Sequence, residues 1–168
     1  MEKMRMAIED TSGVHVWLVL WKATSAIKVH ALQSIDAIGL GQSDFAVLEA
    51  LLHKGPLPVN AIGKKILLTS GSSTTAVDRL EKRQLVERKW EHEDRRVCLV
   101  HLTSSGRRLI TKAFANHAET MERTAQGLTL QERGALLALL KKLGLHARDL
   151  LSAGAAGISI QNQKSKQK

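Results

Sequence analysis

The chain has 168 residues, 43% of them hydrophobic and 24% charged, and carries 25 Lys and Arg against 16 Asp and Glu for a formal charge of +9. Domains usually run about 100 to 200 residues, so the length suits one core with helical extensions, and the composition excludes a chain disordered throughout. The longest apolar run near the start, Val14 to Trp21, contains His15 and is closed by Lys22, far short of the roughly 20 residues of a membrane helix.

In chain order, Val14 to Ile38 predicts a helix whose apolar stripe is Trp17, Leu20, Trp21, Ile27, Ala31, Ile35 and Ile38, ended by Gly39 and Gly41. Ser43 is expected to cap a short second helix that turns Phe45, Leu48, Leu51 and Leu52 inward and stops at Gly55 and Pro56. A third helix, Val59 to Ile66, buries Val59, Ile62 and Ile66. Thr69 or Ser70 caps a fourth, which runs to about Arg83. The period then changes to two: Leu85 to Trp90 and Val97 to Thr103 read as strands, joined by the charged stretch Glu91 to Arg96 into a hairpin with a polar, basic tip.

After Ser104, Ser105 and Gly106, helical spacing resumes from Arg107 to about Gln126. A last helix begins at a Thr129 cap with Glu132 as its capping-box partner, and presents Leu136, Leu137, Leu139, Leu140, Leu143 and Leu150. Beyond Ser152 the Gly, Ala, Ser, Gln and Lys composition predicts a flexible tail. The expected fold class is mainly α with a small two- or three-stranded β wing. In that reading residues 1–40 form an N-terminal helix, 41–106 a winged helix-turn-helix, 107–152 C-terminal helices and 153–168 a basic tail.

The charge is uneven. Residues 1 to 59 hold five basic against six acidic side chains, whereas residues 60 to 110 hold eleven against six. Such a segment suits a polyanion, although a solvated surface shows the same excess. The fourth helix sharpens the choice. At about 100° per residue, Ser73, Ala76, Val77 and Leu80 converge on a face that must be covered. The opposite face carries Gly71, Thr74, Thr75, Asp78, Arg79 and Lys82, with Ser70 and Ser72 near the first turn. Short hydroxyl side chains let a helix come close to base edges and phosphates, and Arg79 can reach guanine or phosphate. A well-capped surface helix would look similar. At the hairpin tip, Arg95 and Arg96 beside Asp94 suit the narrow minor groove, because a guanidinium is weakly hydrated and a carboxylate can steady it.

The run TSGSSTTAVDRLEKRQLVERKWEHEDRRVCLVHLTSSGRRL resembles the recognition helix and wing of the MarR family of bacterial transcription regulators: a Ser/Thr-rich helix, DRLE, a strand, DxR and then LTxxG. The likeness is close over roughly residues 40 to 112, and the flanking helices match in order and length. Two positions depart. His92, Glu93 and Asp94 stand where many members have a proline in the wing turn, and Gln84 stands where Gly is common, which implies a less tight helix end.

The resemblance implies that Ser70, Ser72, Thr74, Thr75 and Arg79 face the major groove, that Arg96 braced by Asp94 enters the minor groove, and that Arg95 meets the backbone. It implies a homodimer built from the first and last helices. Two recognition helices would then read a palindromic operator with half-sites about 34 Å apart, and the simplest outcome is repression. It also implies release by a small aromatic effector bound between the dimer helices and the DNA-binding lobe. Trp17, Trp21, His30 and His53 are the candidate lining, although Trp at helical spacing usually serves packing. The run from Gly39 to Ser72 also resembles the MhqR-like branch associated with quinones and hydroquinones.

Other chemistry finds little support. Ser25 to Lys28 satisfies SxxK, but SDN and KTG companions are missing, and there is no GxSxG, P-loop or GxGxxG. No nucleophile, base and oxyanion set assembles into an enzyme, and no cofactor motif is present. The single cysteine, Cys98, has no partner for an internal disulfide and no CxxC or Cys/His spacing for zinc, and the seven histidines include no HxxxH pair. Cys98 reads as a packing thiol in a wing strand. Glu9 and Asp10 stand where a basic secretory leader is expected, so the expected setting is the cytoplasm. Aromatic residues are few and Tyr is absent, which disfavours single-strand binding. A winged helix used only for protein contacts remains the rival of a different class.

Overall fold

The computed structural model describes residues 10–66, 69–90 and 98–165, with the backbone alone described for residue 70 and residues 153–165. The first helix, α1 (Gly13–Asp36), starts at an N-cap formed by Ser12, whose side chain accepts from the His15 amide. The second, α2 (Gln42–Lys54), is capped by Gly41 and not by Ser43 as the sequence suggests: Ser43 is already the second residue of the helix, and its hydroxyl accepts from Arg79 of the fourth helix. Gly55, at φ +76°, ends it in a conformation costly for other residues. A two-residue strand, β1 (Leu57–Pro58), leads into α3 (Val59–Lys65).

The fourth helix, α4 (Ser70–Lys82), is capped by Thr69, whose hydroxyl accepts from the Ser72 amide at 3.2 Å. Strands β2 (Val86–Trp90) and β3 (Cys98–Leu102) follow. The sheet is antiparallel in the order β1-β3-β2, with Leu57 opposite Val100 and Arg88 opposite Val100 on its other side. β1 is too short to leave a period in the sequence and is found only through its partner.

The next helix, α5 (Ser104–Ala125), begins three residues earlier than expected. Thr103 is the reason: its hydroxyl oxygen accepts from the Gly106 amide at 3.0 Å, so the LTSSG stretch is itself the first turn. The core lies among α2, α3, α4, the sheet and the start of α5, where Val47, Leu48, Ile62, Ala76, Val77, Leu80, Val100 and Ile110 are fully buried. Each such large aliphatic side chain contributes about 1.5 to 3 kcal/mol of transfer free energy. The stripe expected on α1 is buried only toward its C-terminal end, at Ile35, while Trp17, Trp21 and Ile27 stay exposed.

Residues 125–168 form a separate compact unit. Within it α6 (Leu130–Ser165) opens with the expected capping box: Glu132 accepts from the Thr129 amide at 2.8 Å, and the Thr129 hydroxyl accepts from the Glu132 amide at 3.3 Å. Its backbone stays helical to Ser165, past the break expected at Ser152. The segment holds only two glycines and no proline, so nothing removes a helical hydrogen bond, and alanine favours the helix.

Candidate nucleic-acid interface

Ser73, Ala76, Val77 and Leu80 are all fully buried, so the inward face of α4 is the one that the helical spacing selects. Thr74 and Thr75 are exposed on the opposite side, with Ser72 and Lys82. Ser72 lies 2.8 Å, hydroxyl to hydroxyl, from the capping Thr69, and the Thr75 hydroxyl donates to the Gly71 carbonyl at 2.9 Å. Both hydroxyls are thus held within α4 and its cap, Ser72 on the Thr69 side chain and Thr75 on the backbone, and the short side chains leave a low surface where a groove floor can approach. Ser70 is the first residue of the helix, and its side chain lies outside the described residues.

Arg79 is oriented by a contact that the sequence reading did not include. Its Nη2 donates to Asp44 Oδ1 at 2.6 Å and to Ser43 Oγ at 2.9 Å, both on the first turn of α2. The Asp44 side chain is only 7% exposed against 48% for Arg79. The hydrogen bond to Asp44 raises the Arg79 pKa above its ordinary value. Arg79 therefore ties α4 back to α2, the helix before the helix-turn-helix pair α3 and α4, with roughly half of its side chain still open to solvent. No local signal could have found the pair, because 35 residues separate its members.

A second ion-pair set fixes the wing. Arg88 on β2 donates to Asp78 at 2.6 Å and to Glu81, and the Glu81 carboxylate also accepts from the Arg88 amide at 3.2 Å. Burial opposes the Arg88 charge, and the bonds to Asp78 and Glu81 more than offset it, so its pKa stands above the ordinary value. Asp78, expected on the outward face, is thereby committed to the wing. The hairpin joins α4 at Gln84, which takes φ +56°, the left-handed conformation its position demands where Gly would be unstrained. Its carbonyl accepts from the Thr103 hydroxyl at 2.8 Å and the Ser105 hydroxyl at 2.9 Å, so this helix end is tight despite the missing glycine. Asp94, Arg95 and Arg96 lie outside the described residues.

The candidate ligand residues do not converge. A polar cavity of about 550 Å³ is lined by His30, Gln33 and Ser34 of α1 and by Asn116, Thr120, Arg123 and Thr124 of α5. His30 is the only one of the four candidates on it. His53 instead stacks edge-on against Phe114 at 4.6 Å, and Trp17 and Trp21 are 60% and 55% exposed along α1. His117, half-buried beneath, bonds Ser34 at 2.8 Å and lies 5.0 Å from the Phe45 ring. Cys98 is half-buried on β3, opposite Trp90. Among the described residues no His, Cys, Asp and Glu group could hold a metal ion, and no helix is long and apolar enough to cross a membrane.

Three helices closed by a hairpin, with an exposed hydroxyl-bearing helix braced on both sides by arginine, define a winged helix-turn-helix protein of the DNA-binding class. The MarR family model matches residues 40–98. The HTH-type transcriptional regulator MhqR of Bacillus subtilis is 39% identical over 136 residues, which span 81% of this chain and 94% of that protein. BpsR of Bordetella bronchiseptica, solved in work on the regulation of its DNA binding by 6-hydroxynicotinic acid, aligns with TM-score 0.68 and 28% identity over 77% of this chain and 98% of its own. A mutant MarR from E. coli complexed with operator DNA shares the fold at TM-score 0.69 and 21% identity, over 77% of this chain and 94% of its own. The chain belongs to the MarR family and is a DNA-binding transcription regulator.

Proposed function

We propose that the protein is a homodimeric repressor that holds a palindromic operator and lets it go when a small ligand binds. The observation that carries this reading is α4 itself: a helix with a fully buried inner face and an outer face of Ser72, Thr74 and Thr75, presented beside a wing in a family regulator. Ser70, Ser72, Thr74 and Thr75 enter the major groove. Arg79 touches phosphate with the part of its side chain that Asp44 leaves open. Arg96 steadied by Asp94 enters the minor groove, and Arg95 meets the backbone.

Dimerisation is supported by apolar surface that each unit leaves in water. Leu137, Leu139, Leu150 and Leu151 of α6 are 57%, 65%, 61% and 76% exposed, and α1 exposes Trp17 and Trp21. Such extended apolar surface is rarely left open on a monomer. The polar cavity beside His30 is the effector site in this reading. Its amide and hydroxyl lining, with Arg123 at hand, favours a hydrogen-bonding ligand over a plain aromatic one. The protein works in the cytoplasm, where its operator lies, and performs no catalysis.

A salt titration tests the reading. Fluorescence anisotropy with duplexes tiled from the DNA upstream of the coding region should find one inverted repeat bound far more tightly than a shuffled duplex, with affinity falling steeply as salt rises through counterion release. Sedimentation should give a dimer. No binding to any duplex at low salt would leave the fold as a protein-contact module and overturn the proposal.

A further inference from the structure

Trp90, the last residue of β2, is a large side chain that stays exposed. Along β2 successive side chains alternate between faces. Val86 is 2% exposed in the core, and Arg88 pairs with Asp78 and Glu81, so this face is the one turned to α4. Trp90 is the next residue on it. The cross-strand partners of the three are Leu102, Val100 and Cys98. Unlike its two predecessors, Trp90 is 64% exposed. It closes β2, two residues beyond the Arg88 that ties this strand to Asp78 and Glu81 of α4.

We propose that Trp90 is a DNA-backbone contact: its indole rests on the deoxyribose of the strand that runs between α4 and the wing, and its N–H donates to a phosphate of that strand. The inference rests on the DNA-binding reading. Two observations favour a duplex as the occupant. The residue shares a strand face with the clamp that positions α4, and it lies in the segment with eleven basic against six acidic side chains. An indole offers a large apolar area and one donor at low entropic cost. It carries no charge, so it adds affinity without steepening the salt dependence, and sugar and phosphate contacts add it for every sequence alike.

The test measures binding of the upstream inverted-repeat duplex and of a shuffled duplex of equal length across a salt series, for the wild type, Trp90→Ala and Trp90→Phe. Trp90→Ala should weaken both duplexes by about tenfold with an unchanged salt slope, and Trp90→Phe should recover part of the loss. The emission difference between wild type and Trp90→Phe, which isolates this indole, should lose acrylamide quenching when either duplex is added. Equal affinity for wild type and Trp90→Ala, with quenching unaltered, overturns the contact while leaving the DNA-binding reading intact. Loss on the inverted repeat alone overturns it in favour of base reading. A wild type that binds neither duplex overturns both.

Discussion

Gly106→Ala tests the joint between the wing and α5. A Cβ built on Gly106 would lie 1.9 Å from the Leu85 carbonyl oxygen and 2.8 Å from its carbon, and both are backbone atoms that no rotamer change can move. Relief requires the Leu85 peptide to retreat by more than an ångström from a position fixed by two hydrogen bonds, Leu85 N to the Leu80 carbonyl at 2.9 Å and Thr103 N to the Leu85 carbonyl at 3.1 Å. Overpacking costs about 1 to 3 kcal/mol, and a weakened backbone hydrogen bond adds about 1 kcal/mol. Alanine in the first turn of a helix returns about 0.5 to 1 kcal/mol. The expected net loss is about 1 to 3.5 kcal/mol, or roughly 2 to 14 °C in Tm for a chain of this size. Urea unfolding followed by circular dichroism measures it. A variant within about 0.5 kcal/mol of wild type, the range of an ordinary surface change, would show that the joint yields freely and that the close approach has no energetic content.

Three further outcomes follow from the geometry. Gln84→Gly should stabilise by up to about 1.5 kcal/mol, since relief of about 1 to 2 kcal/mol of left-handed strain at φ +56° outweighs the ~0.4 to 1 kcal/mol of extra chain entropy that Gly brings to the unfolded state, and a loss of stability in thermal unfolding would contradict this. Arg79→Ala should cost about 2 kcal/mol by stranding the buried Asp44 carboxylate, below the usual figure for a buried pair because Arg79 is half exposed. Asp44→Asn should cost less, and the double variant less than the sum, so strict additivity in a double-mutant cycle would refute the coupling. Glu132 has its pKa lowered by the hydrogen bond from the Thr129 amide. Its contribution to α6 is therefore fully present above the ordinary value of 4.5 and is lost as pH falls through the lowered one. The stability difference between wild type and Glu132→Gln should shrink on acidification below that value, and a difference that does not change with pH would exclude the capping role.

What the sequence made legible is what local periodicity controls. The inward face of α4, the Thr129 capping box and the two strands of the hairpin follow from spacing and cap chemistry alone, and each lies where that spacing puts it. Contacts between distant residues were not legible. Arg79 has the spacing of a groove-facing residue, and only the meeting of α2 with α4 gives it Asp44. Asp78 and Glu81 stand one turn apart on α4, a visible acidic pair, but their shared partner Arg88 is identified only once β2 is laid beside the helix. The glycine of LTSSG stood out by resemblance, while its physical reason, the Leu85 carbonyl, belongs to another element. Trp17, Trp21, His30 and His53 share the first two helices, and only the packing of α1 on α5 separates them: of the four, His30 alone borders the cavity.

The arginine clamp of β2 on α4 has a mechanical consequence. Asp78, Glu81 and Arg88 join helix and finger in the manner of a welded bracket, and Asp44 with Arg79 adds a second joint to the scaffold behind. Helix and strand joined in this way travel as one piece, so a displacement of either α4 or β2 carries the other with it.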